Sequence, residues 1–284
     1  MRTSEYCTKT HDSLKISHGL WYWWSHGIGG KSALDYLIKA RGIDFVKAVE
    51  ILSGTAPLPS ITRTEPVVHQ NVLYMPGVNY DCTTVKPYLM SRGIDGEIID
   101  ECIAAKSIGE EADNGYALFI GYDENGSMKH CAVRATDGTN FKKDVSGSNK
   151  KYTFRLMSES QNHTLRVFES AVDLLSFATL EKERGGDYKA ENLLSLAGIY
   201  LPKNETQVSK IPSAIVAVLD AHPEIDRVYL HFDNDYTGRR GAYGMIAALG
   251  DKYTVSYVPP PRGKDFNDYL KIKKQIMKTE RERE

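Results

Sequence analysis

Two aspartates two residues apart, Asp233 and Asp235, lie in the stretch "RVYLHFDNDYTGRR", residues 227–240. They follow an apolar run, Val228 to Phe232, and precede a glycine and two arginines. Side chains i and i+2 of an extended segment point to the same side. The pair can therefore hold one hard cation between its carboxylates. Asp235 can equally cap a helix beginning near Gly238, because aspartate is a preferred N-cap residue. A second apolar run, "LRVFES", ends in another acid, Glu169. Carboxylates gathered without histidine or cysteine suit Mg2+ or Mn2+ rather than zinc, since these ions take oxygen ligands.

Such carboxylates need a frame. From residue 165 onward, short apolar runs alternate with helix-period segments. "LRVFES", "LLSLAG", "RVYLHFD" and "YTVSYVPP" read as strands. Helices are predicted from about Ala171 to Arg184, over "SKIPSAIVAVLDAHP", over "GRRGAYGMIAALG" and over "KDFNDYLKIKKQI". This alternation predicts an α/β fold with a mostly parallel sheet covered on both faces. Ligands of such sheets bind outside the carboxyl ends of the strands, which is where Glu169, Asp233 and Asp235 fall.

The rest of the chain divides into smaller units. Residues 1–54 read as a compact module: a strand-like run from Trp21 to Trp24, a turn at Gly27 to Gly30, and two short helices. The first helix has its apolar face at Ala33, Leu34, Leu37 and Ile38, and the second spans Phe45 to Leu52. Residues 55–70 hold three prolines and no clear period, which predicts a linker. Residues 71–160 read as a small α+β unit. It has helices near 85–93 and 96–105, a strand from Ala117 to Tyr122, a turn at "DENG", and a partner strand near Lys129 to Ala135. The α/β unit is expected over 161–277, and "KTERERE", residues 278–284, reads as a solvated charged tail.

Bulk composition narrows the function class. Of 284 residues, 41% are hydrophobic, and the net charge is −1, so overall charge speaks neither for nor against nucleic acid. No run approaches the roughly 20 apolar residues needed to span a bilayer. The first residues show no signal-peptide apolar core, so a cytoplasmic protein without a membrane partner is expected. The four cysteines, Cys7, Cys82, Cys102 and Cys131, form no CxxC pair, so neither a disulfide framework nor a complete cysteine zinc site is expected.

The acids combine with further residues into a recognisable set. Glu169 with Asp173, then "FDNDYTGRRGA", then "PPPRGKDFNDYL", resembles the Toprim domain shared by DnaG-type primases, type IA and type II topoisomerases and some nucleases. The spacing of Asp233, Asp235, Gly238 and Ala242, followed by Gly263, Lys264, Asp265 and Asp268, is most similar to the primases. Phe266 stands where proline is usual. The resemblance implies catalytic roles for Glu169, Asp233 and Asp235. It implies metal binding by Asp233 and Asp235 with Glu169 and Asp173, and nucleotide or phosphate contacts from Arg239, Lys264 and Asp265. Mg2+ or Mn2+ is the implied cofactor.

A basic cluster precedes this set: Arg134, Lys142, Lys143, Lys150, Lys151 and Arg155, interleaved with Ser146, Gly147 and Ser148. It reads either as a phosphate-contacting surface or as a solvated charged loop. Further upstream, "HDSLKI" and "WWSHGIGGKSALDYL" resemble the zinc-binding module of DnaG-type primases. The four ligand positions would fall on Ser4, Cys7, Trp23 and His26. A structural zinc site needs four good ligands, so zinc is not expected. Trp21, Trp23 and Trp24 are expected to bury hydrophobic surface instead; the rival reading stacks them on single-stranded bases.

The chain is thus similar to Toprim proteins of conjugative elements, plasmids and phages. The implied activity is Mg2+-dependent nucleotidyl transfer: DnaG-like primer synthesis from nucleoside triphosphates on single-stranded DNA, with a helicase or relaxase as possible partner. A Toprim nuclease needs the same carboxylates and remains an alternative. So does a non-catalytic DNA-binding accessory protein of a plasmid or conjugative element.

Overall fold

The computed structural model describes residues 6–7, 13–17, 19–23, 28–54, 72–198 and 211–281. The chain divides into two compact units, Met1–His69 and Gln70–Glu284. The predicted linker, residues 55–70, lies outside the described residues.

The first unit is a four-stranded antiparallel sheet in sequential order: β1 (Tyr6–Cys7), β2 (Leu14–Ser17), β3 (Leu20–Trp23) and β4 (Ile28–Gly30). Helices α1 (Ala33–Lys39) and α2 (Phe45–Ser53) follow. Ser32 and Asp35 cap α1 reciprocally, and Asp44 caps α2. Strand β2 was not anticipated. The glycine segment, expected as a turn, pairs as strand β4 at its last three residues. The reason is steric: a Cβ on Gly29 would stand 2.6 Å from the Tyr22 ring, and one on Gly30 would stand 2.7 Å from Trp21 Nε1. Only glycine lets this strand close onto the aromatic one. Trp21 is 5% exposed and meets Tyr36 edge-on with ring centroids 5.5 Å apart, so it packs in the core as expected. Tyr22, on the other face, is 41% exposed. Of the four zinc-ligand positions, Ser4 and His26 lie outside the described residues, as does Trp24. Of Cys7 only the backbone is described.

The second unit has two sheets. The first is antiparallel: β5 (Val78–Asn79), β6 (Ile108–Glu111), β7 (Ala117–Tyr122), β8 (Met128–Arg134) and β9 (Lys142–Asp144), in that order. Helices α3 (Val85–Ser91) and α4 (Gly96–Ala104) lie between β5 and β6 in the chain. Glu110 accepts hydrogen bonds from the amides of Thr84 and Val85, closing the first turn of α3 from a distant strand.

The second sheet has the order β10 (Arg155–Leu156), β12 (Asn192–Ser195), β11 (Thr164–Phe168), β13 (Arg227–His231) and β14 (Thr254–Tyr257). Only β10 is antiparallel to its neighbour. Its helices are α5 (Ala171–Glu183), α6 (Ser213–Ala221), α7 (Tyr236–Leu249) and α8 (Phe266–Arg281). The predicted α/β class and mostly parallel sheet are what the chain forms. Leu165, Val167, Val228 and Leu230 pack under α6 and α7. Phe168 and Leu193 point the other way, into a core shared by α3, α4, α5, α8 and one face of the antiparallel sheet. That double contact is why α5 is buried continuously from Ala171 to Leu180 rather than along one stripe.

Three boundaries differ from the sequence expectation. Lys278 to Arg281, read as part of a solvated tail, continue α8. Lys142 to Asp144, read within a basic loop, pair with β8 as strand β9. Helix α7 starts at Tyr236, two residues before Gly238.

Candidate active site

The site is built at the carboxyl edge of the parallel sheet. Strands β11 and β13 are neighbours with Phe168 opposite His231, so the residues that follow each, Glu169 and the Asp233–Asp235 segment, leave the sheet side by side. The contact is direct: the Asp233 amide donates to Glu169 Oε1 at 2.9 Å. Asp233 is further fixed by the Tyr257 hydroxyl, which donates to its carbonyl at 2.9 Å.

Asp235 satisfies both readings of its position. Its Oδ1 accepts from the Gly238 amide at 2.9 Å as the N-cap of α7. Its Oδ2 is free to face Asp233, and the two carboxylates converge on one ammonium. Lys264 Nζ lies 3.1 Å from Asp233 Oδ2 and 3.4 Å from Asp235 Oδ2. The lysine comes from the loop between β14 and α8. That loop is pinned by the Asn234 amide, which donates to the Lys264 carbonyl at 2.7 Å. Asp265 Oδ1 accepts from the Asp268 amide at 2.7 Å, in the first turn of α8.

Glu169 follows β11, and Asp173 lies in the first turn of α5. Asp173 is buried; its Oδ2 accepts from the Ser170 hydroxyl at 2.5 Å and its Oδ1 from the Asn267 amide at 3.3 Å. Among the described residues, no three of His, Cys, Asp and Glu gather as a metal-ligand cluster. Of the four expected ligands, Asp233 and Asp235 converge on the Lys264 ammonium, and Glu169 and Asp173 line one cavity with Asp233. Glu169 is hydrogen-bonded to the Asp233 backbone, and Asp173 ties α5 to the start of α8.

The electrostatics follow this arrangement. Burial, reinforced by Asp233, pushes the Glu169 carboxyl up to about 7. Burial, reinforced by Asp265, pushes Asp173 up to about 7. Burial also raises Asp233, although Lys264 opposes it. Asp235 is held below its usual value by the Gly238 amide and Lys264 despite some burial. Lys264 is raised by its hydrogen bond to Asp233. His231, buried under the same edge, is driven down to about 3 by burial and by Arg166, and stays neutral. The excess of buried carboxylate over cation, with two oxygens already turned onto one positive charge, fits a hard divalent ion.

A cavity of about 470 Å³ opens beside the pair. Glu169, Asp173, Asp233, Lys264 and Asp265 line it from the parallel-sheet edge, and Arg134, Lys142, Lys143 and Asp144 line it from β8 and β9. The basic cluster is thereby sorted. Lys150 is paired with Asp144 at 3.0 Å, at the cavity margin. Lys151 lies over the Tyr152 ring, and Arg155 donates to the carbonyls of Thr153 and Lys151. Neither Lys151, in the turn after β9, nor Arg155, on β10, lines the cavity. Arg239 also stays outside, with its Nη1 held by Asn234 Oδ1 at 3.1 Å. Three residues of the site were not singled out in the sequence: Tyr257, Ser170 and Asn267. Each acts by a tertiary hydrogen bond or a cap rather than by a motif. A short "SxxD" capping box at Ser170 and Asp173 was the one clue available.

Residues 166–270 match a family model described as Toprim-like, and residues 87–162 match a family of unknown function, DUF3991. A "65 kDa protein" of Zymomonas mobilis subsp. mobilis is 27% identical over 277 residues; the match covers 88% of this chain. The chain spans 44% of that relative's length. Among solved structures, the primase fragment of the bacteriophage T7 primase-helicase protein aligns with 96% of both chains at 16% identity and a TM-score of 0.45. The E. coli primase catalytic core aligns over 68% of this chain and 69% of that one at 14% identity and a TM-score of 0.46. Among the described residues, no helix is long and apolar enough to cross a membrane. Over residues 166–270 the chain is thus similar to Toprim-like domains, and that segment holds the parallel sheet whose edge carries Glu169, Asp233 and Asp235.

Proposed function

We propose that the protein is a Mg2+-dependent nucleotidyltransferase that makes RNA primers on single-stranded DNA, in the manner of DnaG-type primases. One observation carries the reading: Asp233, which shares the Lys264 ammonium with Asp235, lines a cavity that Arg134, Lys142 and Lys143 also line. A nucleoside triphosphate has the complementary form, a polyanion that needs both a hard cation and fixed positive charge.

Asp233 and Asp235 are the residues that would hold Mg2+ or Mn2+. When bound, the ion supplies charge neutralisation for the phosphates and for the leaving pyrophosphate. Arg134, Lys142 and Lys143 hold phosphate from β8 and β9. Glu169 orients Asp233 through the backbone amide, and its raised carboxyl can take or give a proton near neutral pH. Lys264 and Asp265 adjoin the triphosphate. Beyond the cavity, helix α7 carries Tyr236 and Tyr243, 64% and 63% exposed, with Arg240 between them donating to the Tyr236 hydroxyl. Over its 14 residues α7 holds two arginines and no carboxylate. That face suits a single strand, with bases on the tyrosine rings and phosphate near the arginines.

On this reading the partners are single-stranded DNA and nucleoside triphosphates, the location is the cytoplasm, and the setting is a mobile element with a helicase or relaxase nearby. The test is primer synthesis from ribonucleotides on single-stranded DNA with Mg2+ or Mn2+. Asp233→Ala abolishes it while leaving the protein folded. Synthesis that survives this change defeats the assignment.

A further inference from the structure

Lys264 occupies the place between the carboxylates that a cation needs. Its ammonium is 3.1 Å from one and 3.4 Å from the other, distances typical of ion pairs. Its backbone and its side chain are held very differently. The carbonyl is fixed by the Asn234 amide, and Gly263 before it adopts φ +81, where an added Cβ would stand 2.8 Å from that of Asp268. The Lys264 backbone is thereby anchored to the Asp233–Asp235 segment. The side chain is 57% exposed, and the two aspartates are its only recorded polar contacts among the described residues. The same side chain lines the cavity with Arg134, Lys142 and Lys143.

A lysine is a compact charge on a flexible four-carbon stem. With its Cα fixed, the ammonium can leave the aspartates and enter the cavity without any backbone movement. A divalent ion and an ammonium compete for the same pair of oxygens, because they repel each other at that separation. Left without a cation, the pair would repel itself.

We propose that Lys264 is an exchangeable counter-ion. It holds the Asp233–Asp235 pair together before the metal arrives, is displaced by the metal, and then binds phosphate in the adjoining cavity. Metal loading and phosphate binding are thereby coupled through one side chain. This rests on reading Asp233 and Asp235 as the metal pair. Lys264 is a positioning residue for the empty site and a phosphate ligand for the filled one.

The test uses the full chain and two direct binding measurements, neither of which needs turnover. Mn2+ binding is followed by paramagnetic resonance of the free ion, and inorganic triphosphate binding by calorimetry at saturating Mn2+. Lys264→Met keeps the stem and removes the charge. It is expected to bind Mn2+ at least tenfold more tightly than the wild type, since its competitor is gone, and triphosphate at least tenfold more weakly. Lys264→Gln serves as a second neutral variant and is expected to behave alike. Lys264→Arg, still cationic and able to bridge both carboxylates, is expected to bind Mn2+ no more tightly than the wild type. Opposite shifts in the two affinities are not produced by a merely structural lysine. Mn2+ binding that is unchanged or weaker in both neutral variants overturns the exchange. If Asp233→Asn binds Mn2+ as the wild type does, the metal pair itself is wrong, and the proposal falls with it.

Discussion

One methyl group at Gly238 probes how closely the site depends on its scaffold. Gly238 lies in the first turn of α7, where the helix crosses the Asp233 backbone. A Cβ there would stand 2.1 Å from the Asp233 carbonyl oxygen and 2.9 Å from both its carbonyl carbon and its amide nitrogen. These are backbone atoms and cannot rotate aside. Relief requires Asp233 and α7 to separate by about 1 Å, and misplacement of that size is enough to cost roughly 10²-fold in catalysis. The same carbonyl accepts from Tyr257, and the Asp233 amide donates to Glu169, so the shift strains three contacts together. Global stability changes far less. Alanine in a helix gains about 1 kcal/mol over glycine, and overpacking costs about 1–3 kcal/mol. The net loss is about 0–2 kcal/mol, a few degrees in Tm for a unit of this size. The assay measures Tm, Mn2+ affinity and primer synthesis on Gly238→Ala. The expected result is a nearly intact melt with about a hundredfold loss of synthesis and weakened Mn2+ binding. A variant with wild-type metal affinity and synthesis would show that the site does not depend on this crossing.

Two further outcomes test other parts of the reading. The Glu169 carboxyl is raised to about 7 in the folded metal-free protein, above its ordinary 4.5, so its neutral form is favoured by folding. Its contribution to stability is full below about pH 4.5 and is lost as pH rises through 7. Thermal melts of metal-free wild type should therefore lose more between pH 5 and pH 8 than those of Glu169→Gln, and Mg2+ should restore the wild type at pH 8; equal losses in both proteins count against the buried-carboxylate account. On α7, Tyr243→Ala is expected to weaken binding of labelled single-stranded DNA by about five- to a hundredfold, in line with roughly 1–3 kcal/mol per stacked base, and Tyr243→Phe to leave it unchanged. Loss in both variants would point to the hydroxyl rather than the ring.

Much of this protein was legible along the chain because the relevant physics is local. Alternation and helical period mark the strands and helices from Thr164 to Ile276, and their order dictates a mostly parallel sheet. The i, i+2 spacing turns Asp233 and Asp235 to one side, and the N-cap preference of aspartate accounts for the start of α7; both properties reside within a few residues. What the sequence could not determine depends on groups brought from afar. Lys264 meets the pair because α8 is locked onto α5: the Asn267 side chain donates to Ser176 and to the Arg92 carbonyl, and the Asn267 amide donates to Asp173. The six basic residues look alike in one dimension. Only the pairing of β9 with β8 turns Arg134, Lys142 and Lys143 into the cavity and leaves Arg155 on its own backbone carbonyls. The motif marks Asp173, but its hydrogen bonds to Ser170 and to the Asn267 amide of α8 come only with the fold. The sequence by itself settled which residue types stand at which strand ends. The tertiary structure decided which charges share a space, because that depends on packing between elements, and no local spacing encodes it.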